Sequence, residues 1–404
     1  MIKILQISSE VNSGSVGRVA EQIGEAVIEE GWDSHIAYAR DKLPSKSNVI
    51  KIGSTFDLLV HGLYTRLTDR HGFASRKATK KLISKIKEIK PDLIQLQHMH
   101  GYFINIELLF NFLASANIPV VWTFHDCWSF TGHCAHYEFV NCQKWQDHCE
   151  HCPQIDEYPK SFVDNSYDNF ERKKRLFNAL PNLTIVPVSY WLGHETEKSF
   201  LNQNSIEVIQ NGIDLDNFQI YDDKQLREKY QLQDKVVLLG VANPWNDRKG
   251  LNYFIELNKI ISADYQIVLV GLSDNQIKDL PSNIIGINRT SDVKELAEFY
   301  SMSNVFVNPT LEDTFPTTNL EALACGTPVV TFRSGGSPES LTEETGRVVE
   351  KEDVEGLLQA IQELTEKPSS FYKEKCREKA VNFYNKKENF KKYIELYKKL
   401  LNKY

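Results

Sequence analysis

Short apolar runs alternate with helical periodicity along this chain, and the alternation begins again past its midpoint. Residues 3–7 form the first run, residues 8–15 are mostly small and polar, and Val16, Val19, Ile23 and Val27 then recur at helical spacing up to Gly31. Further strand-like runs lie at 34–39, 91–97 and 119–124, with an apolar-rich helix from about 106 to 116 before the last of them. The pattern restarts with a run at 235–240, a loop to Gly250 and a helix to about Ile261. Runs at 266–271, 304–307 and 327–332 follow, with helices near 292–301 and 318–324. Continuous apolar runs separated by helices are the signature of parallel strands covered on both faces.

The chain is therefore expected to be an α/β protein with two Rossmann-like parallel-sheet domains facing a cleft, where ligands usually sit. Its 404 residues suit two domains, 1–205 and 206–385, joined near residues 205–216. Residues 386–404 read as an amphipathic helix, with Phe390, Tyr393, Ile394, Tyr397, Leu400, Leu401 and Tyr404 on one face and lysines on the other.

The net charge of −7 is unevenly spread: −1 over residues 1–205, −11 over 206–385 and +5 over 386–404. An acidic second half argues against nucleic acid as a partner. No stretch of about 18 apolar residues is present to span a bilayer, and the first residues lack a signal-peptide pattern, so a cytoplasmic location is expected.

The segment from Asn308 to Val330 holds the strongest concentration of chemistry. Asp313 and Glu321 stand eight residues apart, with Phe315, Thr317, Thr318 and Asn319 between them at the start of a helix. Free backbone N–H groups and the positive end of the helix dipole favour a phosphate or sugar hydroxyl there. A carboxylate on the first turn can accept two hydrogen bonds from a ribose diol. Arg248 and Lys249, in the loop after the second domain's first strand, are two adjacent cations able to neutralise a diphosphate. His125 and Asp126 end the strand at 119–124, while His98 and His100 end the previous one. The loop 12–18 brings Gly14 and Arg18 to the start of the first helix without the G-x-G-x-x-G spacing of a dinucleotide site.

The block running from Asp313 through Glu321-Ala-Leu-Ala-Cys-Gly-Thr-Pro-Val-Val resembles the donor-binding signature of glycosyltransferase family 4, in its capsule, colanic-acid and exopolysaccharide branch. Asp313 replaces the family's usual first Glu. Lys249-Gly250 matches the family's Lys-Gly, but the Arg usually found several residues earlier is missing, which leaves Arg248 as its substitute. Asn211-Gly212-Ile213-Asp214 matches the hinge signature and Gly335-Gly336 through Glu339 a further element near the donor.

The resemblance implies the GT-B fold, with the last helix crossing back onto the N-terminal domain. It implies that Glu321 binds ribose and Asp313 the transferred sugar, and that amides near Thr317 and Thr318 hold the diphosphate. It places Phe315, Asn319 and Gly14 with the donor, and His125 at the reacting centre with Asp126 orienting it. Arg18, His98 and His100 fall on the acceptor side. The implied reaction is retaining, with the leaving phosphate taking the acceptor's proton and no catalytic cofactor or metal required.

Two features remain. Cys134, Cys142, Cys149 and Cys152 fall in an insertion from about 131 to 159 and could hold a structural zinc or be reduced thiols packed in a loop. Residues 66–90 net +7, with Leu82, Ile83, Ile86 and Ile89 as an inner face; such a stretch is either a solvated surface or an anionic-membrane contact, peripheral on the inner leaflet. The expected function is transfer of a sugar from a nucleoside diphosphate sugar to a glycan or lipid-linked oligosaccharide. The alternatives are a GT-B phosphorylase or epimerase, a non-catalytic sugar-nucleotide or membrane adaptor, and an NAD-dependent oxidoreductase.

Overall fold

The computed structural model describes residues 1–402 and divides into two units, Met1–Gln210 with the residues from Phe390 onward, and Asn211–Asn389. Tyr404, assigned above to the apolar face of the last helix, lies outside the described residues.

The first unit is built on seven strands: β1 (Lys3–Ile7), β2 (Asp33–Tyr38), β3 (Asn48–Lys51), β4 (Leu93–Leu96), β5 (Val120–Phe124), β6 (Leu183–Pro187) and β7 (Ser205–Ile206). They pair in parallel in the order β3-β2-β1-β4-β5-β6-β7. Ser205 and Ile206 still pair with β6, so the division falls after Gln210 rather than after 205. The order reverses between β1 and β4, and at such a switch point the loops leaving the strands' carboxyl ends diverge and open a crevice.

The second unit repeats the plan with β8 (Val236–Val241), β9 (Tyr265–Val270), β10 (Ile284–Ile287), β11 (Val305–Asn308), β12 (Val329–Phe332) and β13 (Gly346–Val349). The order is β10-β9-β8-β11-β12-β13, again all parallel, with the switch point between β8 and β11.

The helix Lys386–Leu401 begins in the second unit, where Lys386 Nζ meets Asp214 at 2.6 Å, and ends in the first. There Phe390, Tyr393, Ile394, Leu396, Tyr397 and Leu400 are buried in one cluster with Ile4, Val19, Ile23, Val27, Leu93, Val121, Val186 and Ile209. Burial of a large apolar side chain is worth about 1.5–3 kcal/mol, so this helix is a major part of the first unit's core. Tyr397 also donates to Gln95 on β4, and Tyr393 lies 3.3 Å from Thr123 on β5.

Candidate active site

In the second unit, the loop after β8 and the loop after β11 face each other. Asn246 caps the short turn Asp247–Lys249 through its side chain, accepting from Lys249 N at 3.0 Å. Gly250 follows with φ +78°, and a Cβ there would lie 2.2 Å from the Pro309 carbonyl, so only glycine lets the two loops approach this closely. Leu311 N donates to the Arg248 carbonyl at 2.8 Å, tying the loops together.

The cations then fall on consecutive acids. Lys249 Nζ is 2.6 Å from Asp313 Oδ2, and Arg248 Nη1 is 2.9 Å from Glu312 Oε1. Glu312 is buried, whereas Asp313 and Lys249 remain partly exposed. Asp313 is held by Phe315 N at 3.2 Å. The helix Thr317–Ala324 starts immediately beyond, after Pro316 and without a side-chain cap. Thr317 and Thr318 are half-exposed on its first turn. Glu321, one turn in, accepts from the hydroxyl of buried Tyr300 at 2.8 Å, which fixes the carboxylate's direction.

Two residues grouped above with the donor site are placed differently. Asn319 is wholly buried; it accepts from Asn308 Nδ2 at 2.8 Å and donates to Ser340 Oγ at 3.0 Å. Its amide is used up in joining β11 to the turn Ser337–Ser340, so its side chain is a support and not a ligand-facing group. Phe315 is likewise buried, with its ring 6.0 Å from that of Tyr384.

In the first unit, the carboxyl ends of β4 and β5 carry a polar relay. His125 Nε2 lies 2.9 Å from Gln97 Oε1, Gln97 Nε2 donates to Gln6 Oε1 at 2.9 Å, and Gln6 donates to the Ala20 carbonyl. Asp126, the next residue, holds the two histidines that follow β4. Its Oδ2 meets Nε2 of both His98 (2.6 Å) and His100 (2.7 Å), and its Oδ1 accepts from Trp128 N at 2.9 Å. His100 continues to the Tyr158 hydroxyl at 2.8 Å.

Burial, with the neighbouring His98 adding to it, pulls His125 down to about 3, so its ring is neutral near pH 7. Burial and His98 likewise take His100 to about 4, against the pull of Asp126. Burial alone would raise Asp126, but His100 and His98 hold its carboxyl well below the usual range. A neutral ring offers one donor and one acceptor, which suits a hydroxyl rather than a phosphate. Among the described residues, His98, His100 and Asp126 form the set of three whose donor atoms lie within 4.8 Å of one another, and their ring nitrogens already occupy the carboxylate. Gly14 and Arg18 are exposed at the start of the helix Gly14–Glu29.

Tyr300, Glu312, Gln97 and Tyr158 complete these two constellations and escaped the sequence reading. Glutamines at 6, 95 and 97 inside apolar strand runs were the available signal, because a buried amide must be paired.

Two all-parallel Rossmann-like units and a returning C-terminal helix make this a GT-B fold. Sucrose-phosphate synthase from Thermosynechococcus elongatus has a similar solved structure, with a TM-score of 0.73, 18% identity and full coverage of both chains. Residues 16–217 match the description Glycosyltransferase Family 4, and residues 233–367 match Glycosyl transferases group 1. The chain belongs to glycosyltransferase family 4 and is a glycosyltransferase. It is 24% identical over 377 residues to the putative colanic acid biosynthesis glycosyl transferase WcaC of Escherichia coli (strain K12), covering 89% of this chain and 90% of that one. It is also 26% identical over 216 residues to the UDP-Gal:alpha-D-GlcNAc-diphosphoundecaprenol alpha-1,3-galactosyltransferase of Escherichia coli, covering 49% of this chain and 55% of that one.

Proposed function

We propose that the chain transfers a sugar from a nucleoside diphosphate sugar to a lipid-linked glycan, with retention of anomeric configuration, in building a capsule, exopolysaccharide or O-antigen. The observation that carries this reading is the pairing of Lys249 and Arg248 with Asp313 and Glu312 beside the uncapped helix start at Thr317. Cations held in place before substrate arrives stabilise charge as it develops without reorganising. In the proposed step the bond from the anomeric carbon to the diphosphate breaks. The acceptor oxygen bonds to that carbon on the same face, and its proton passes to the departing phosphate. Lys249, Arg248 and the amides at Thr317 and Thr318 receive the diphosphate's charge, so the reaction needs no catalytic metal. Glu321, steadied by Tyr300, accepts from the ribose diol, and Asp313 accepts from a sugar hydroxyl. The first unit takes the acceptor: His125 meets a hydroxyl, and Arg18, exposed at a helix start, a lipid phosphate.

A membrane surface as partner is supported by an unexpected helix. Thr55–Thr68 leaves Phe56, Leu59, Val60, Leu63 and Leu67 exposed at i, i+3, i+4, i+7 and i+11, an outward apolar stripe. The basic helix Arg76–Ile89 follows it, burying Leu82 and Ile86 and exposing its lysines. Apolar side chains flanked by cations fit an anionic leaflet. No described helix is long and apolar enough to cross a membrane.

A panel of nucleotide sugars tests the reading. One of them should raise the melting temperature and, with lipid-linked acceptor and EDTA present, yield nucleoside diphosphate and an extended lipid of unchanged anomeric configuration. Glu321→Ala should abolish both binding and transfer. Nucleotide binding without transfer to any acceptor would instead make the chain an adaptor. Leu59→Glu with Leu63→Glu should release the chain from anionic vesicles while leaving turnover on a short soluble acceptor intact.

A further inference from the structure

The Cys-rich insertion lines a cavity that shares no residue with the loops after β8 and β11 or with the His125 and Asp126 relays. It has a volume of about 20 Å³, and Cys134, Cys142, Cys149 and Cys152 all line it, with His133, Lys144 and Trp145. A space of that size holds about one water or one ion. The insertion has little regular structure of its own, a single short turn at Lys144–Gln146 between β5 and the helix Ser166–Phe177. We propose that these four thiolates bind one zinc ion that pins the insertion to the first unit.

Three observations converge on a cation held by thiolates. Cys149 and Cys152 have the two-residue spacing of a zinc half-site, and Cys134 and Cys142 reach the same cavity from a separate stretch of chain. Cys149 Sγ accepts from the Gly132 N–H at 3.2 Å, as a metal-bound thiolate requires of its surroundings. A Cβ at Gly132 would sit 2.2 Å from the Ser166 carbonyl and 2.7 Å from Cys149 Cβ, so glycine alone permits this contact.

Charged groups of both signs, Lys144 and Glu150, line the cavity, and two further basic side chains lie beside it. Four thiolates on a divalent ion carry a net charge of minus two, which a buried site must balance. Lys173 is buried beside Thr131, which lines the cavity, and its Nζ donates to the carbonyls of Trp128 (2.8 Å) and Thr131 (3.1 Å), both neutral acceptors. His133 is wholly buried, its Nδ1 bonded to Asp69, while its Nε2 has no hydrogen-bond partner. An imidazole so held can face an anionic cluster across the cavity. No three of the four sulfurs lie within 4.8 Å of one another, so binding as proposed includes a movement of these side chains, of which Cys142, Cys149 and Cys152 are partly exposed.

Metal analysis of the full chain, purified without a polyhistidine tag, tests the proposal. One zinc per chain should survive gel filtration. Cobalt reconstitution should give the intense visible absorption of a tetrahedral thiolate site. Cys152→Ser and Cys142→Ser should each weaken metal retention by about tenfold or more, while Cys376→Ser, which lies in the other unit, should keep the full zinc content. A folded wild type that carries no zinc, takes up no cobalt, and whose thiols react equally fast with and without added zinc would overturn it. Loss of metal in His133→Gln with retention in Cys142→Ser would overturn the four-thiolate set. Because the wild-type measurements stand without any variant, a Cys→Ser chain that fails to fold leaves the proposal decidable.

Discussion

All eleven histidines of the chain fall in the first unit and the second has none, although both units share one sheet plan. The difference continues at the strand ends. The first unit's relays are made of imidazoles and amides around a single buried carboxylate, His125–Gln97–Gln6 and His98–Asp126–His100. The second unit's is made of full charges, Lys249–Asp313 and Arg248–Glu312. The same fold thus presents a hydrogen-bonding surface of imidazoles and amides with one buried acid in one copy and paired opposite charges in the other. Hydroxyl-rich glycans suit the first, and a diphosphate suits the second.

Acid should break the comparison most sharply. Burial takes His61 and His125 to about 3 and His100 to about 4, and holds His71 well below its ordinary range. Each ring is then neutral when folded but free to protonate when unfolded. The unfolded state binds more protons between pH 6.5 and those lower values, so stability is complete above 6.5 and falls as pH drops. Each ring costs about 1.4 kcal/mol per pH unit in that window, and several act together. Hydrogen exchange followed peptide by peptide should show the first unit losing protection between pH 6.5 and 4 while the second keeps it. Five of the six tryptophans lie in the first unit, so fluorescence should follow the same curve. Equal loss in both units would mean that the buried histidines do not set the acid limit.

Removing charge from the second unit should have the next largest effect, and on rate rather than folding. Lys249→Ala should lower kcat by about 10²–10³, the usual loss for one preorganised charge-stabilising group, with KM for the nucleotide sugar changed far less. The first unit's melting should be unaffected. A change confined to KM would recast Lys249 as a ground-state binding group.

Much of this contrast was legible in the residue pattern. Continuous apolar runs located β1, β5, β8 and β9 to within a residue, because parallel strands bury both faces. Short or half-exposed strands such as β3, β7 and β10 left no comparable run. The site residues in the loop after β8 and the helix after β11 were found as clusters of charge, but their roles depend on direction, which spacing does not encode. Asn319 looked as available as Thr318 until its amide was found spent on Asn308 and Ser340. Sequence adjacency suggested Asp126 as a partner of His125, but it gave no sign that Asp126 also holds His98 and His100 or that His125 meets Gln97. The apolar stripe on Thr55–Thr68 has the spacing of a buried helix face, and only the fold shows that it faces outward.

The smallest effect probes how one helix is shared. Tyr397, on the returning helix, donates to Gln95 Oε1, while Gln95 Nε2 donates to Thr123 at 2.9 Å. Gln95 and Tyr397 are both fully buried, so no solvent can replace the lost donor. Tyr397→Phe keeps the ring and its packing but orphans the Gln95 oxygen, which should cost the first unit about 1–3 kcal/mol. The Lys386–Asp214 ion pair at the same helix's beginning stays intact, so the second unit should keep its stability. A first unit that melts lower while the second holds would show that the C-terminal helix is energetically part of the imidazole-rich half. Equal destabilisation of both would mean that the helix couples the two units into one cooperative fold, and the acid transition should then be shared as well.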